Sequence, residues 1–170
     1  MIKKTTLVTL LVAFIAISVQ HIGFGQADEH GQLANALRSA KISLQSGIAA
    51  SESEGTPISA KFEVEGGKLQ LSIYIMKGDK FSEVIIDHQT GRIAKTEPIT
   101  EGEDLASAKQ QAEAMGKAKS SLRVVTDSAL KANSGFRAVS VMPTLKDGKP
   151  IAEVTVARGA EFKTVTQNLN

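Results

Sequence analysis

The stretch Gly148-Lys149-Pro150-Ile151-Ala152-Glu153-Val154-Thr155-Val156-Ala157-Arg158-Gly159-Ala160-Glu161-Phe162-Lys163-Thr164-Val165 decides the fold, because an earlier stretch lies over it without a gap. Gly67-Lys68, Ile73-x-Ile75, Gly78, Phe81 and Val84 return as Gly148-Lys149, Val154-x-Val156, Gly159, Phe162 and Val165, each 81 positions later (148 − 67 = 81). An internal repeat constrains architecture before local propensity is consulted. In the first copy Leu69, Leu71, Ile73 and Ile75 alternate with Gln70, Ser72 and Tyr74, the period of a strand with one buried and one wet face. Just upstream, Ile58, Ala60, Phe62 and Val64 alternate with Ser59, Lys61 and Glu63, and Gly66-Gly67 joins the two runs into a hairpin. Lys77-Gly78-Asp79-Lys80 then turns the chain into a third strand, Phe81–Ile86.

Further upstream, Leu33, Leu37, Ala40, Leu44 and Ile48 fall on one helical stripe, which predicts a helix over about 30–53 ended by Gly55 and Pro57. The second copy opens on Thr100-Glu101-Gly102-Glu103, the spacing of a capping box. Leu105, Ala108, Ala112 and Met115 suggest an Ala-rich connecting helix, followed by the repeat's own helix at about 117–133. Strands are predicted at 136–146, 150–157 and 161–167, with Asp147-Gly148 at the hairpin turn. Pro143 and Pro150 donate no ladder hydrogen bond, so edges, a strand start or a bulge are expected for them. The fold class is α+β, as two tandem units, each a helix packed on a three- to four-stranded antiparallel sheet. The polar strand face is expected to stay open to water. A charge at Leu37 or Ile73 is expected to unfold the first unit, and whether the units fuse into one sheet is left open.

The first residues, Met1-Ile2-Lys3-Lys4, precede an apolar run from Leu7 to Val19. That run suits a signal peptide and falls short of the roughly 20 residues a membrane span needs. Residues 1–27 therefore read as a leader cut after Ala27, with a cut after Gly25 as the other choice and an uncleaved anchor as the alternative. The expected address is periplasmic or secreted. Without Lys3 and Lys4, 20 − 2 = 18 basic residues face 18 acidic ones, so the mature chain is neutral and no charge block suggests nucleic acid. The absence of cysteine rules out disulfides, thiolate metal sites and a lipid-anchoring cysteine.

At Glu83-Val84-Ile85-Ile86-Asp87-His88-Gln89-Thr90-Gly91-Arg92-Ile93 the chain resembles a PepSY domain: helix, apolar hairpin, third strand ending in Asp, then x-x-Thr-Gly. The resemblance gives a first domain over 33–96, a linker with helix extension over 97–116 and a diverged second domain over 117–170. In the second, Asn168 stands where Asp87 does and the signature is lost. Asp87, Thr90 and Gly91 suit a structural turn and are also candidates for partner contact. The resemblance implies a family found in metalloprotease propeptides and exported bacterial proteins, where protease inhibition is a common proposal.

No catalytic set emerges. Asp87 and His88 could be drawn into a Ser-His-Asp set, but they are neighbours in a turn and no Gly-x-Ser-x-Gly segment presents a nucleophile. Neither a glycine-rich phosphate cradle nor a His-Glu-x-x-His segment occurs. A chain cut after Ala27 would begin Asp28-Glu29-His30, where amine, backbone nitrogens and imidazole could bind Cu(II) or Ni(II) in a square plane. No resident cofactor is expected. The leading expectation is a non-enzymatic exported protein that binds a protein or peptide, a protease or envelope protein among the candidates, through a sheet face or edge. A metal-handling envelope protein and a structural accessory one are the alternatives, with membrane contact only through an uncleaved leader.

Overall fold

Gly66 and Gly67 take φ of +55° and +77°, the left-handed pair that a two-residue hairpin turn requires, and they join β1 (Thr56–Glu65) to β2 (Lys68–Lys77). Asp147 and Gly148, at +51° and +74°, do the same between β5 (Arg137–Lys146) and β6 (Lys149–Arg158). Gly78 and Gly159 then turn the chain into β3 (Lys80–Ile86) and β7 (Glu161–Asn168). The structure, a computed structural model, describes residues 24–170, so most of the expected leader lies outside the described residues.

With β4 (Ile93–Ile99), the strands form one antiparallel sheet in the order β4-β3-β2-β1-β5-β6-β7. The two halves are therefore one continuous sheet. They meet at a two-pair ladder, Ala60↔Val141 and Lys61↔Ser140. Ala60 and Val141 are themselves counterparts, since 141 − 60 = 81. The irregularities match too: β1 shifts register between Pro57 and Ser59, and β5 shifts between Ala138 and Ser140. Pro150 lies at the start of β6, as expected. Pro143 lies inside β5, paired with Ala152 but beyond the short ladder to β1, where the seam supplies no partner.

The predicted 30–53 helix is corrected by the structure. It divides into α1 (Phe24–Ala36), a 3-10 turn (Leu37–Ser39) and α2 (Leu44–Ser51), with the link between them out of helix. A tertiary bond outweighs the helical pattern there: Lys41 N and Ile42 N both donate to His88 O, at 2.9 and 3.3 Å. Ser43 then caps α2, its Oγ accepting from Ser46 N at 3.1 Å. Downstream, α3 (Gly102–Lys117) and α4 (Leu122–Ala132) are separate helices. The stretch 97–116 thus holds the end of β4 and most of α3. The capping box is also corrected: Glu101 holds the N-cap position and no side chain caps α3, while Glu103 and Asp104 favour the positive end of its dipole.

Both α2 and α4 cover the sheet face that carries Ile73, Val84, Val141 and Val154, and one core runs beneath them. Side by side, they are linked by Gln45 Nε2 donating to Asp127 Oδ1 at 3.0 Å. Arg137 joins the halves near the seam, donating to Leu37 O at 2.8 Å and Ile42 O at 3.3 Å. The other face is less open than expected. Ser59, opposite Tyr74 in the ladder, donates to Gln111 Oε1 of α3 at 2.6 Å, so this helix crosses that face.

Gly47 of α2 sits so close to β2 that an added Cβ would lie 2.6 Å from Leu71 Cδ2. Leu71 is fully buried and cannot swing into solvent. Gly47→Ala would gain helix propensity, about 1 kcal/mol, yet overpacking there costs about 1–3 kcal/mol. A lower urea midpoint with unchanged slope is the expected result.

Candidate functional site

Asp87 opens the turn between β3 and β4 by accepting at Oδ1 from Gln89 N, at 2.8 Å, and from Thr90 N, at 3.1 Å. Gly91 N donates to Asp87 O at 2.8 Å, and Gly91 closes the loop at φ +76°. Arg92 N donates to Thr90 Oγ1 at 3.4 Å. The turn carries two external fasteners: His88 O takes the paired bonds from residues 41 and 42, and Gln89 Nε2 donates to Ser39 O. Asp87, Thr90 and Gly91 are thus brought together as a clasp on the link between α1 and α2. The His88 Nδ1 meets the Gln89 amide at 3.2 Å, so the histidine is engaged within the turn.

The backbone bonds from Gln89 and Thr90 hold the Asp87 carboxyl below its ordinary range. Its folded pKa lies below its unfolded one. The turn therefore adds stability above the unfolded value, about pH 3.9, and loses it as pH falls through the folded one. Asp87→Asn keeps the Oδ1 acceptor and removes the titration. Acid denaturation monitored by circular dichroism should show a shallower loss of stability below pH 4 for this variant than for the parent.

The second half carries a counterpart of the clasp that the sequence motif did not reveal. Asn168 Oδ1 accepts from Asn170 N at 2.9 Å, as Asp87 accepts from Gln89 N. Leu169 O accepts from Lys119 N at 2.7 Å and Ser120 N at 3.0 Å, as His88 O accepts from residues 41 and 42. Ser121 then caps α4 as Ser43 caps α2. The signal was present in sequence as Lys41-Ile42-Ser43-Leu44 and Lys119-Ser120-Ser121-Leu122, offset by 78 positions rather than 81 (119 − 41 = 78). The helix is longer in the second half, 11 residues in α4 against 8 in α2, and those three residues hid the match from an alignment set on the strands.

The metal candidates Asp28, Glu29 and His30 lie within α1. The His30 ring stacks on Phe162, with centroids 4.4 Å apart and planes 13° from parallel. A square-planar site would require these residues to leave the helix and His30 to leave Phe162. Among the described residues there is no group of three or more His, Cys, Asp or Glu placed to hold a metal ion.

Two surfaces remain that could meet a partner. On the outer face, Lys61 Nζ lies 2.6 Å from Glu63, Ser72 Oγ donates to Glu63 at 3.0 Å, and Gln70 Nε2 reaches Ser72 and Glu83 at 3.0 and 3.3 Å. Burial pulls the Lys61 pKa down, but its bond and charge contact with Glu63 outweigh that and hold it above the ordinary lysine value. These groups already satisfy one another. The sheet edges differ. β4 carries Pro98 and a Lys95–Glu97 ion pair at 2.6 Å, features that discourage strand addition. The other edge, β7, reads Glu-Phe-Lys-Thr-Val-Thr-Gln-Asn with no proline, and among the described residues no strand pairs with its outer side.

No family model matches the chain, and no curated protein matches it. Among solved structures it is similar to a protein described provisionally as a lipoprotein from Clostridium difficile 630, at 13% identity and a TM-score of 0.40, over 72% of this chain and 82% of that one. A likeness that loose carries no argument. Among the described residues no helix is long and apolar enough to cross a membrane.

Proposed function

We propose that this chain is an exported, non-enzymatic protein of two PepSY-like units that binds an extended segment of a protein partner along β7. The observation that carries the reading is the eight-residue, proline-free outer strand with no partner on its free side among the described residues. Strand addition draws its affinity from main-chain hydrogen bonds, and such an edge offers a row of them. The outer face is the weaker candidate, because its polar groups are already paired.

Support for two units comes from the repeated hairpin turns, bulges, helix caps and clasps, and from Ala60 facing its own counterpart. The exported address rests on the Lys3-Lys4 start and the Leu7–Val19 run. Because proteases bind substrates as extended strands, control of one is a natural use for such an edge. The experiment is amide hydrogen exchange of the mature protein with a reduced, alkylated, permanently unfolded polypeptide, beside an inhibition assay on a thermolysin-type protease. Slower exchange in β7 is expected. Unchanged exchange across β7, with the protease unaffected, would refute the reading.

A further inference from the structure

We infer that the β7 edge receives its partner as an antiparallel strand in the place that β4 holds on β3, with a defined register and side-chain pattern. This rests on the edge-binding reading above and adds direction, register and chemistry to it. β3 and β7 are counterparts, since Ile73↔Val84 and Val154↔Val165 are ladder pairs 81 positions apart. Each strand runs into a similar clasp. The Asp87 turn and His88 O fasten the end of β3, and Asn168 and Leu169 O fasten the end of β7 with matching bonds. Up to that point the two edges are prepared alike, and one of them already holds a strand.

The β3–β4 ladder pairs Phe81↔Ile99, Ser82↔Pro98, Glu83↔Glu97, Val84↔Thr96 and Ile85↔Lys95. Carried over by 81 positions, it places five consecutive residues of an incoming strand opposite Thr166, Val165, Thr164, Lys163 and Phe162, in that order along the strand. The side chains set preferences. Val165 is opposite the buried Val154 and favours an apolar, β-branched neighbour. Lys163 is exposed, with its Nζ on Asn133 Oδ1 at 2.8 Å and 5.9 Å from the Phe136 ring centre, and no carboxylate pairs with it among the described residues. Phe162 favours an apolar residue. The partner segment therefore reads, from its N-terminal side, any residue, Val or Ile or Thr, any residue, Asp or Glu, then an apolar residue.

The test uses synthetic peptides copying residues 93–100 of this chain, one with Pro98→Glu and one with Pro98→Lys, added to the mature protein. The Pro98→Glu peptide should slow β7 amide exchange and bind roughly three- to fivefold more tightly than the lysine form, the usual range for an exposed cross-strand charge pair. In protein carrying Lys163→Glu the preference should reverse. Register is read by disulfide formation, which the cysteine-free chain makes unambiguous. Protein carrying Thr164→Cys should cross-link to a peptide with cysteine at the position of Glu97, and poorly to one with cysteine at Lys95 or Ile99. Equal cross-linking at all three, or no charge reversal, overturns the inference while β7 protection by any peptide leaves the edge reading standing. Protection of β7 in free mature protein that grows with concentration, or protection in the uncleaved chain that vanishes when residues 1–27 are removed, assigns the edge to a second copy or to the leader and overturns it. No protection by either peptide or unfolded polypeptide overturns both.

Discussion

Ile73→Asp is expected to unfold the chain across all seven strands, β5 to β7 included. Ile73 is fully buried on β2, opposite Ala60 on one side and Val84 on the other. Its core cluster includes Leu122 and Val125 of α4 and Val154 of β6, so the two halves share one interior. A carboxylate there must be buried without a partner or protonated, at a cost of several kcal/mol. Domains of this size are stable by only about 5–15 kcal/mol, and a loss on the order of 4 kcal/mol or more removes much of that. Val154→Asp places the same charge at the counterpart position, also fully buried, and should give the same result. Hydrogen exchange should report loss of protection over the same set of strands in both variants. Retained protection of β5–β7 in Ile73→Asp would show that the halves are stable independently and that the continuous interior does not couple them.

The sheet was the readable part of this chain because strand burial has a short, strict period. Ile73, Ile75, Val154 and Val156 advertised their face two residues at a time, and Gly67 and Gly148 marked turns that demand positive φ. The helical layer was harder, since its boundaries depend on bonds to residues far away. Nothing local to Ala40-Lys41-Ile42 says that the His88 carbonyl will take both amides, and the stripe Leu37, Ala40, Leu44 invites one continuous helix. Continuity of the sheet depends on a two-pair ladder at Ala60, which leaves no periodic mark in either strand. The candidate site was half visible. Asp87, Thr90 and Gly91 spell a turn in sequence, whereas Asn168 differs in residue type although its side-chain oxygen accepts the same bond. The β7 edge is not legible in sequence, because an edge is defined by what is beside it. Its sequence differs from a central strand in having Lys163, Thr164, Thr166 and Gln167 where a buried strand would carry more apolar residues.

The helix α3 yields the second large effect, because its sequence resembles a soluble connector while its position makes it a staple. Ala108 and Ala114 are 1% and 0% exposed, and Gln111 between them receives the buried Ser59 hydroxyl. Small side chains at those turns let the helix approach the sheet where β1 meets β5, and it contacts β2 and β6 on either side. With only two ladder pairs at the seam, contacts that bridge it from the outer face carry much of its stability. Ala114→Glu forces a choice between burying a carboxylate and lifting the helix from the seam. Either outcome is expected to cost about 3–5 kcal/mol, read as a large drop in the urea midpoint. Glu113→Ala, one position along and on the wet side, removes an exposed pair with Lys117 at 3.1 Å and should cost less than about 0.5 kcal/mol. A mere connector would tolerate both changes alike. A steep contrast between adjacent positions is the mark of a helix packed on one face, and equal, small effects would mean that the seam holds without it.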